Sequence, residues 1–369
     1  MAPTISKSVA RTSVLIAAIR TYLSNKLVSF NNDALYKPYE QPLVKQYAKY
    51  CYTNPVDLCS DVRLTIIDPY ALFFIRHESS PDILAEFFHT LPKFKPTVDQ
   101  DPLYQSLISS GLDVSSVDSI AHFFKSSTTS EAQIMQGWTL LFDEMISNHV
   151  SCRTRLIDEF VLEGVSNGIK QVVILGSGLD TRAQRLPLDH SVTVFEVDVA
   201  EVVEYKRHVM ESAMLAIEPI SKAKNVDIKE DLRYLDTWTS KLKESGFQTD
   251  KPSIWILEGL LMYLQPEHTA NLLNTISPMS SSGSAMIIQT TGVFDRTVPN
   301  YFGKNIFQQL AEEVFIPAPR PDELLTNIGF TNGLTTLYEK DLIKMYGTPG
   351  AVYQDPCTPF QRFTKSYKP

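Results

Sequence analysis

Apolar positions along the chain fall into two textures. Up to about residue 150 they recur at spacings of three and four, the signature of helices with one buried face. Over residues 8–27 Val9, Leu15, Ile16, Ile19, Leu23 and Leu27 follow that spacing and predict a helix. Asp68-Pro69-Tyr70-Ala71 opens a second apolar run through Leu72-Phe73-Phe74-Ile75, and residues 81–150 alternate helical patches with Ser-rich breaks such as Lys125-Ser126-Ser127-Thr128-Thr129-Ser130. The stretch from Asn31 to Asp61, rich in Tyr and Pro, predicts a short helix around Pro42–Tyr52 in otherwise irregular chain. A further helix is expected from Ser147 to Glu163, ended by the turn chemistry of Gly164–Gly168. No strand alternation occurs in this half, so it is expected to be a helical cap.

From Lys170 the pattern changes to short apolar runs separated by helical stretches. Strands are predicted at 171–175, 192–197, 253–257, 284–290, 334–338 and 360–366, with a strand-like segment at Val226-Asp227-Ile228. Helices are predicted at 180–185, 199–217, 233–245, 266–277, 300–314 and 320–328, a loop at Gly292–Pro299, and a break at Ile316-Pro317-Ala318-Pro319. Strands alternating with helices of this length imply parallel βαβ units and a doubly wound α/β sheet. The expected organisation is residues 1–150 as the cap and substrate-side region and 151–369 as the ligand-binding sheet domain.

Composition narrows the function classes. Of 369 residues, 43% are hydrophobic and 21% charged, ordinary for a globular protein, and the net charge of −8 disfavours tight binding to nucleic acid. Cys51, Cys59, Cys152 and Cys357 form no Cys-x-x-Cys pair, so they read as unpaired thiols of a reducing compartment such as the cytoplasm, with no metal site. No apolar run reaches the roughly 18–20 residues that span a bilayer. Residues 1–32 carry Lys7, Arg11, Arg20 and Lys26 and no acid, a composition shared by organelle transit peptides; the preferred reading is a basic amphipathic helix packed on the domain.

The candidate chemistry starts at Val172-Val173-Ile174-Leu175-Gly176-Ser177-Gly178-Leu179-Asp180-Thr181-Arg182, a strand running into a Gly-x-Gly turn. Gly176 and Gly178 let a ligand approach the backbone closely. A dinucleotide fingerprint would place its third glycine where Thr181 stands, and Asp180 is unwelcome beside a pyrophosphate. A carboxylate there suits a cationic ligand end, such as the ammonium or sulfonium of S-adenosylmethionine. Glu196 and Asp198 end the next strand on one face, and one of them is expected to chelate ribose hydroxyls. Lys229-Glu230-Asp231-Leu232-Arg233 follows the strand-like segment, where an acid can take an adenine amine and Leu232 can pack on the base. Glu258 closes the strand Ile254-Trp255-Ile256-Leu257, at the edge where open α/β sheets bind ligands.

Together with Val194-Phe195-Glu196-Val197-Asp198, Asp231-Leu232-Arg233 and Glu258-Gly259-Leu260-Leu261-Met262-Tyr263-Leu264, the glycine stretch resembles the leucine carboxyl methyltransferase family. The likeness is closer to its bacterial-type branch of S-adenosylmethionine-dependent methyltransferases than to the branch acting on a phosphatase C-terminus. Asp68-Pro69-Tyr70-Ala71 and Cys152-Arg153-Thr154-Arg155 also resemble that branch's N-terminal half, and the likeness runs from about residue 8 to 290 and more loosely to the end. It implies a class I methyltransferase (Rossmann-like) sheet with strand order 3-2-1-4-5-7-6 and a helical N-terminal cap. By similarity Gly176 and Gly178 line the methionine part of the cofactor, Asp198 holds the ribose, Asp231 and Leu232 the adenine, and Glu258 lies near the amino-acid end. Basic residues of the N-terminal helices bind the cofactor carboxylate in the family, which points to Arg20 and Arg153, with Arg155 as the rival of Arg153. The chain between Arg20 and Asp68 is longer than that branch leads one to expect, so the acceptor does not carry over.

The expected function is an S-adenosylmethionine-dependent O-methyltransferase acting on a carboxylate, or a hydroxyl, of a small metabolite. The alternatives are methylation of a protein's C-terminal carboxylate, a nicotinamide-dependent oxidoreductase, or a cofactor binder without activity. A carboxylate acceptor is already ionised at neutral pH and needs no general base. Arg182, Arg233 and Tyr263 are candidate partners for it, and a hydroxyl acceptor would call on a base such as His190 or His208. No catalytic residue is singled out.

Overall fold

The computed structural model describes residues 8–28, 66, 68–142, 144–292, 315–318, 320–346 and 361–369. The helices expected around Pro42–Tyr52 and over 300–314, and the loop at 293–299, lie outside these residues.

The first half is helical: α1 (Ser8–Val28), α2 (Ala71–Arg76), α3 (Ser80–Phe94), α4 (Pro102–Ser109), α5 (Val117–Lys125), α6 (Glu131–Thr139) and α7 (Glu144–Ser166). The Ser-rich breaks serve as caps. Ser116 accepts the Ser119 N–H at the start of α5, and Ser130 forms a capping box with Gln133 at the start of α6. α1 is not the one-faced helix that its spacing predicts. Val14, Leu15, Ala17, Ala18 and Ile19 are all fully buried, because α2, α6 and α7 surround it. The cap core they form also takes in Leu179, Tyr205, Val209 and Met210 from the second half.

The second half runs β1 (Gln171–Leu175), α8 (Arg182–Arg185), β2 (Thr193–Asp198), α9 (Ala200–Ala216), β3 (Lys224–Lys229), α10 (Leu235–Glu244), β4 (Ser253–Leu257), α11 (Pro266–Ile276), β5 (Ala285–Thr291), α12 (Pro321–Thr326), β6 (Asn332–Tyr338), α13 (Glu339–Tyr346) and β7 (Gln361–Tyr367). The seven strands form one sheet in the order β3-β2-β1-β4-β5-β7-β6. Strands β1 to β5 are parallel, and β7 lies antiparallel between β5 and β6. This is the class I methyltransferase order. Alternate residues face opposite ways. Val172, Ile174, Val194, Ile254 and Ile256 pack against Leu156, Ile157 and Phe160 of α7, while Val173, Leu175, Phe195, Trp255 and Leu257 pack against α10 and α11 through Trp238, Leu242, Leu272 and Leu273. Both faces are covered, as in a doubly wound fold.

α7 joins the two halves. Ile146 and Val150 at its start belong to the cap core, and Cys152, Leu156 and Phe160 belong to the core of the sheet. Its end has the expected turn chemistry: Gly168 has φ of +96° and the Ile169 N–H returns to Gly164 O at 3.1 Å.

Candidate functional site

At the end of β1 the chain turns at once. Gly176 (φ +66°) and Gly178 (φ +50°) lie in the left-handed region, where a side chain is strained. A β-carbon on Gly176 would come 3.0 Å from Leu260 Cδ1, and one on Gly178 3.5 Å from Ser13 Cβ. The turn is therefore flanked by the segment after β4 and by α1. The N–H groups of Gly176 and Ser177 both donate to Val197 O, at 2.9 and 3.2 Å. Gly178 N–H donates to Asp198 Oδ2 and Val199 N–H to Asp198 Oδ1, each at 2.7 Å, while Glu230 N–H donates to the Asp198 carbonyl at 2.9 Å. Asp198 thus stitches the glycine turn to the Glu230-Asp231-Leu232 segment. Each of its oxygens spends one lone pair on these bonds and keeps acceptor capacity for a hydroxyl. Burial pushes its carboxyl up, and the bonds from Gly178 and Val199 pull it back.

The other acid of β2 has a different setting. Glu196 is 1% exposed and paired with Lys206 of α9, inside the core rather than at the turn. Leu232 is half-buried against the cluster that holds Trp238, and the Asp231 carboxylate accepts from Arg233 Nε at 3.0 Å. The Arg233 side chain is 60% exposed and turned outward.

A buried network of charges borders the turn. Asp180 Oδ1 accepts the Arg182 N–H at 2.7 Å, and its Oδ2 takes Arg182 Nη1. The cation that Asp180 meets is thus supplied by its own chain. Burial raises the Asp180 carboxyl, but Arg182, Lys206 and Arg185 outweigh it and hold the group at about 2. Arg182 Nη1 also donates to Glu258 Oε2 at 2.7 Å, and Arg182 Nε to Asp158 Oδ1 at 2.7 Å. Arg182, a candidate acceptor-binding residue by sequence, is therefore committed to three carboxylates. Arg153 Nε stands 2.8 Å from the other oxygen of Glu258. Burial raises the Glu258 carboxyl, and Arg182 and then Arg153 more than offset it, so the group stays below the ordinary carboxylate value.

α1 closes the site from above the turn. Arg20 Nη2 donates to Leu179 O at 2.6 Å, and its Nε lies 3.2 Å from Asp68 Oδ2. Asp68, 0% exposed, accepts the N–H groups of Tyr70 and Ala71 at the start of α2 and the Thr181 hydroxyl at 2.8 Å. The position that departs from the dinucleotide fingerprint is thus a tie between turn and cap. Burial and the neighbouring Arg20 and Arg182 make it harder for Arg153 to hold its charge, with Glu258 as the opposing attraction. The Nε atoms of Arg20 and Arg153 are both buried with no aligned hydrogen-bond acceptor. Each nonetheless stands beside a carboxylate, Asp68 for Arg20 and Glu258 for Arg153.

The structure thus brings Arg20, Arg153, Gly176, Gly178, Asp180, Asp198 and Glu258 together through linked contacts, with Asp231 and Leu232 one bond further along. Arg155 faces elsewhere: its Nε donates to Glu159, which accepts the Tyr346 hydroxyl of α13. Tyr263 is half-buried near Arg153, its phenol pushed up by desolvation with a hydrogen bond from the Thr12 side lowering it. Neither histidine suggested as a base reaches the turn. His190 is exposed in the loop before β2, at the far edge of the sheet, and His208 is exposed on α9 with its ring 5.7 Å from that of His77.

Sequence reasoning missed Asp158 and the role of Asp68. The signal for Asp158 is a lone acid in the apolar run Leu156-Ile157-Asp158-Glu159-Phe160-Val161, which must find a cation inside. Among the described residues no group of three or more His, Cys, Asp or Glu is placed to hold a metal, and no helix is long and apolar enough to cross a membrane. Cys152 is a buried free thiol pushed up by burial to about 12; the other cysteines lie outside the described residues.

Known proteins point the same way as the sheet order. A Mycobacterium marinum protein is 37% identical over 143 residues, covering 39% of this chain and 45% of that one. A Mycobacterium avium protein is 43% identical over 137 residues, covering 37% and 42%. Both bear the provisional name S-adenosyl-L-methionine-dependent methyltransferase, and the matched stretch spans less than half the length of either. The sequence model described as leucine carboxyl methyltransferase matches residues 63–277, more than half of the chain, which therefore belongs to the leucine carboxyl methyltransferase family.

Proposed function

We propose that the chain is an S-adenosylmethionine-dependent O-methyltransferase acting on a carboxylate of a small metabolite. The observation that carries this reading is a buried cluster of arginines and carboxylates beside the glycine turn, which suits a zwitterion. Arg20 on α1 and Arg153 on α7 each have a buried Nε without an aligned acceptor, beside the carboxylates of Asp68 and Glu258. The amino-acid end of the cofactor has the matching carboxylate and ammonium. In this reading Arg20 and Arg153 hold the carboxylate and Glu258 the ammonium. Gly176 and Gly178 line the methionine chain, and Asp180 fixes the turn through Arg182. Asp198 takes the ribose hydroxyls, and Asp231 and Leu232 take the adenine. A dinucleotide fits less well: α8 is only four residues long, and its N-terminus already faces the Asp180 carboxylate.

When bound, the cofactor supplies an activated sulfonium methyl. The chain's part is to orient and to exclude water, which lowers the barrier without proton transfer. Two observations favour a carboxylate over a hydroxyl acceptor: a carboxylate needs no base, and His190 and His208 both lie away from the turn. The family's name supports a second acceptor of the same chemistry, a protein's C-terminal carboxylate. Methyl transfer assayed on small carboxylic acids and on C-terminal peptides separates the two.

Thermal unfolding with added ligand tests the cofactor. S-adenosylhomocysteine at about 100 times its dissociation constant is expected to stabilise the fold by about 2.7 kcal/mol. A shift with NADH and none with S-adenosylhomocysteine would overturn the reading.

A further inference from the structure

We propose that Asp158 is a positioning residue that sets affinity for the amino-acid end of the cofactor by aiming Arg182 at Glu258. The inference rests on the cofactor reading above and extends it to a residue that touches no ligand.

Asp158 is 0% exposed on α7, among the apolar side chains that face the sheet. A lone carboxylate there would be costly, and breaking one side of such a pair is costlier still. Arg185 meets this need by itself, with Nη1 2.6 Å from Asp158 Oδ2 and Nη2 2.7 Å from Oδ1. The additional bond, from Arg182 Nε to Oδ1 at 2.7 Å, is therefore not needed to neutralise Asp158. Its effect is on Arg182. A guanidinium is planar and rigid, so fixing Nε fixes the direction of Nη1. That Nη1 donates to Glu258 Oε2 at 2.7 Å, while Arg153, also on α7, stands 2.8 Å from Glu258 Oε1. Both oxygens of Glu258 are thus oriented from one helix: one directly, the other through Asp158 and Arg182. Without Asp158 the guanidinium is free to pivot on Asp180, and Glu258 loses its second brace.

The test is calorimetric titration of the full chain with two probes. S-adenosylhomocysteine has the amino-acid end; 5′-methylthioadenosine keeps the adenosine and the sulfur without it. Asp158→Asn is expected to weaken S-adenosylhomocysteine about 10- to 100-fold and to leave 5′-methylthioadenosine within about 2-fold. A merely structural role would weaken both probes alike. Equal loss of both, or loss of neither, overturns the proposal. If Asp158→Asn does not fold, Arg182→Lys tests the same link while Asp158 keeps its pairing with Arg185. The same selective loss is expected, and equal or absent loss again overturns the proposal. Failure of the cofactor reading is seen separately, in wild-type protein that binds neither probe.

Discussion

Asp180 shows what a buried charge requires in this protein. Its carboxyl falls from an ordinary 3.8 to about 2 because Arg182, Lys206 and Arg185 overcome the penalty of burial. A depressed folded-state value means that ionised Asp180 stabilises the fold above pH 3.8, and that this stability is lost as pH falls through about 2. Asp180→Asn is expected to be less stable than wild type at neutral pH, with the gap closing as pH falls from 3.8 towards 2. Urea unfolding at a series of pH values checks this, and a gap that widened on acidification would contradict it. The residue types at the site were legible in the sequence: acids at strand ends and glycines at a turn are local features. Their partners were not. Asp158 finds Arg182 24 positions away and Arg182 finds Glu258 76 positions away, separations that only the assembled fold can close.

Among the elements, α1, α2 and the glycine turn meet at one side chain, Asp68. Asp68→Ala removes the acceptor of the Tyr70 and Ala71 N–H groups and leaves Arg20 buried without its carboxylate, at an expected cost of about 3–5 kcal/mol. Asp68→Asn keeps an acceptor for the Tyr70 and Ala71 N–H groups and is expected to cost about 1–2 kcal/mol. Equilibrium unfolding in denaturant measures both, and equal costs would show that the charge is irrelevant. Elements with continuous apolar runs were legible to the residue, as at β1 and β4, because buried parallel strands need no alternation. β3 showed only as Val226-Asp227-Ile228, since an edge strand carrying Lys224, Asn225, Asp227 and Lys229 has little apolar pattern. α13 was missed because Leu342 and Tyr346 are its only buried apolar side chains among those described.

In the whole molecule, the expected division near residue 150 falls inside α7, whose first turns belong to one core and later turns to another. The change of texture in the sequence falls where the packing environment changes; the helix that joins the two cores was expected over Ser147–Glu163, but its passage from one core to the other left no trace in periodicity. With the cap core also holding Tyr205, Val209 and Met210 of α9, heat is expected to unfold both halves in one transition. Differential scanning calorimetry checks this; two resolved transitions would show that the cap melts alone. The buried network has a consequence of another kind. Four guanidiniums, of Arg20, Arg153, Arg182 and Arg185, face four carboxylates, of Asp68, Asp158, Asp180 and Glu258. Under the proposed reading a zwitterion enters a neutral seat, so ionic strength has little hold on how tightly that end of the methyl donor binds. The acceptor meets different conditions: an anion diffusing towards a protein of net charge −8 is repelled at long range, and dissolved salt, by screening that repulsion, speeds its arrival.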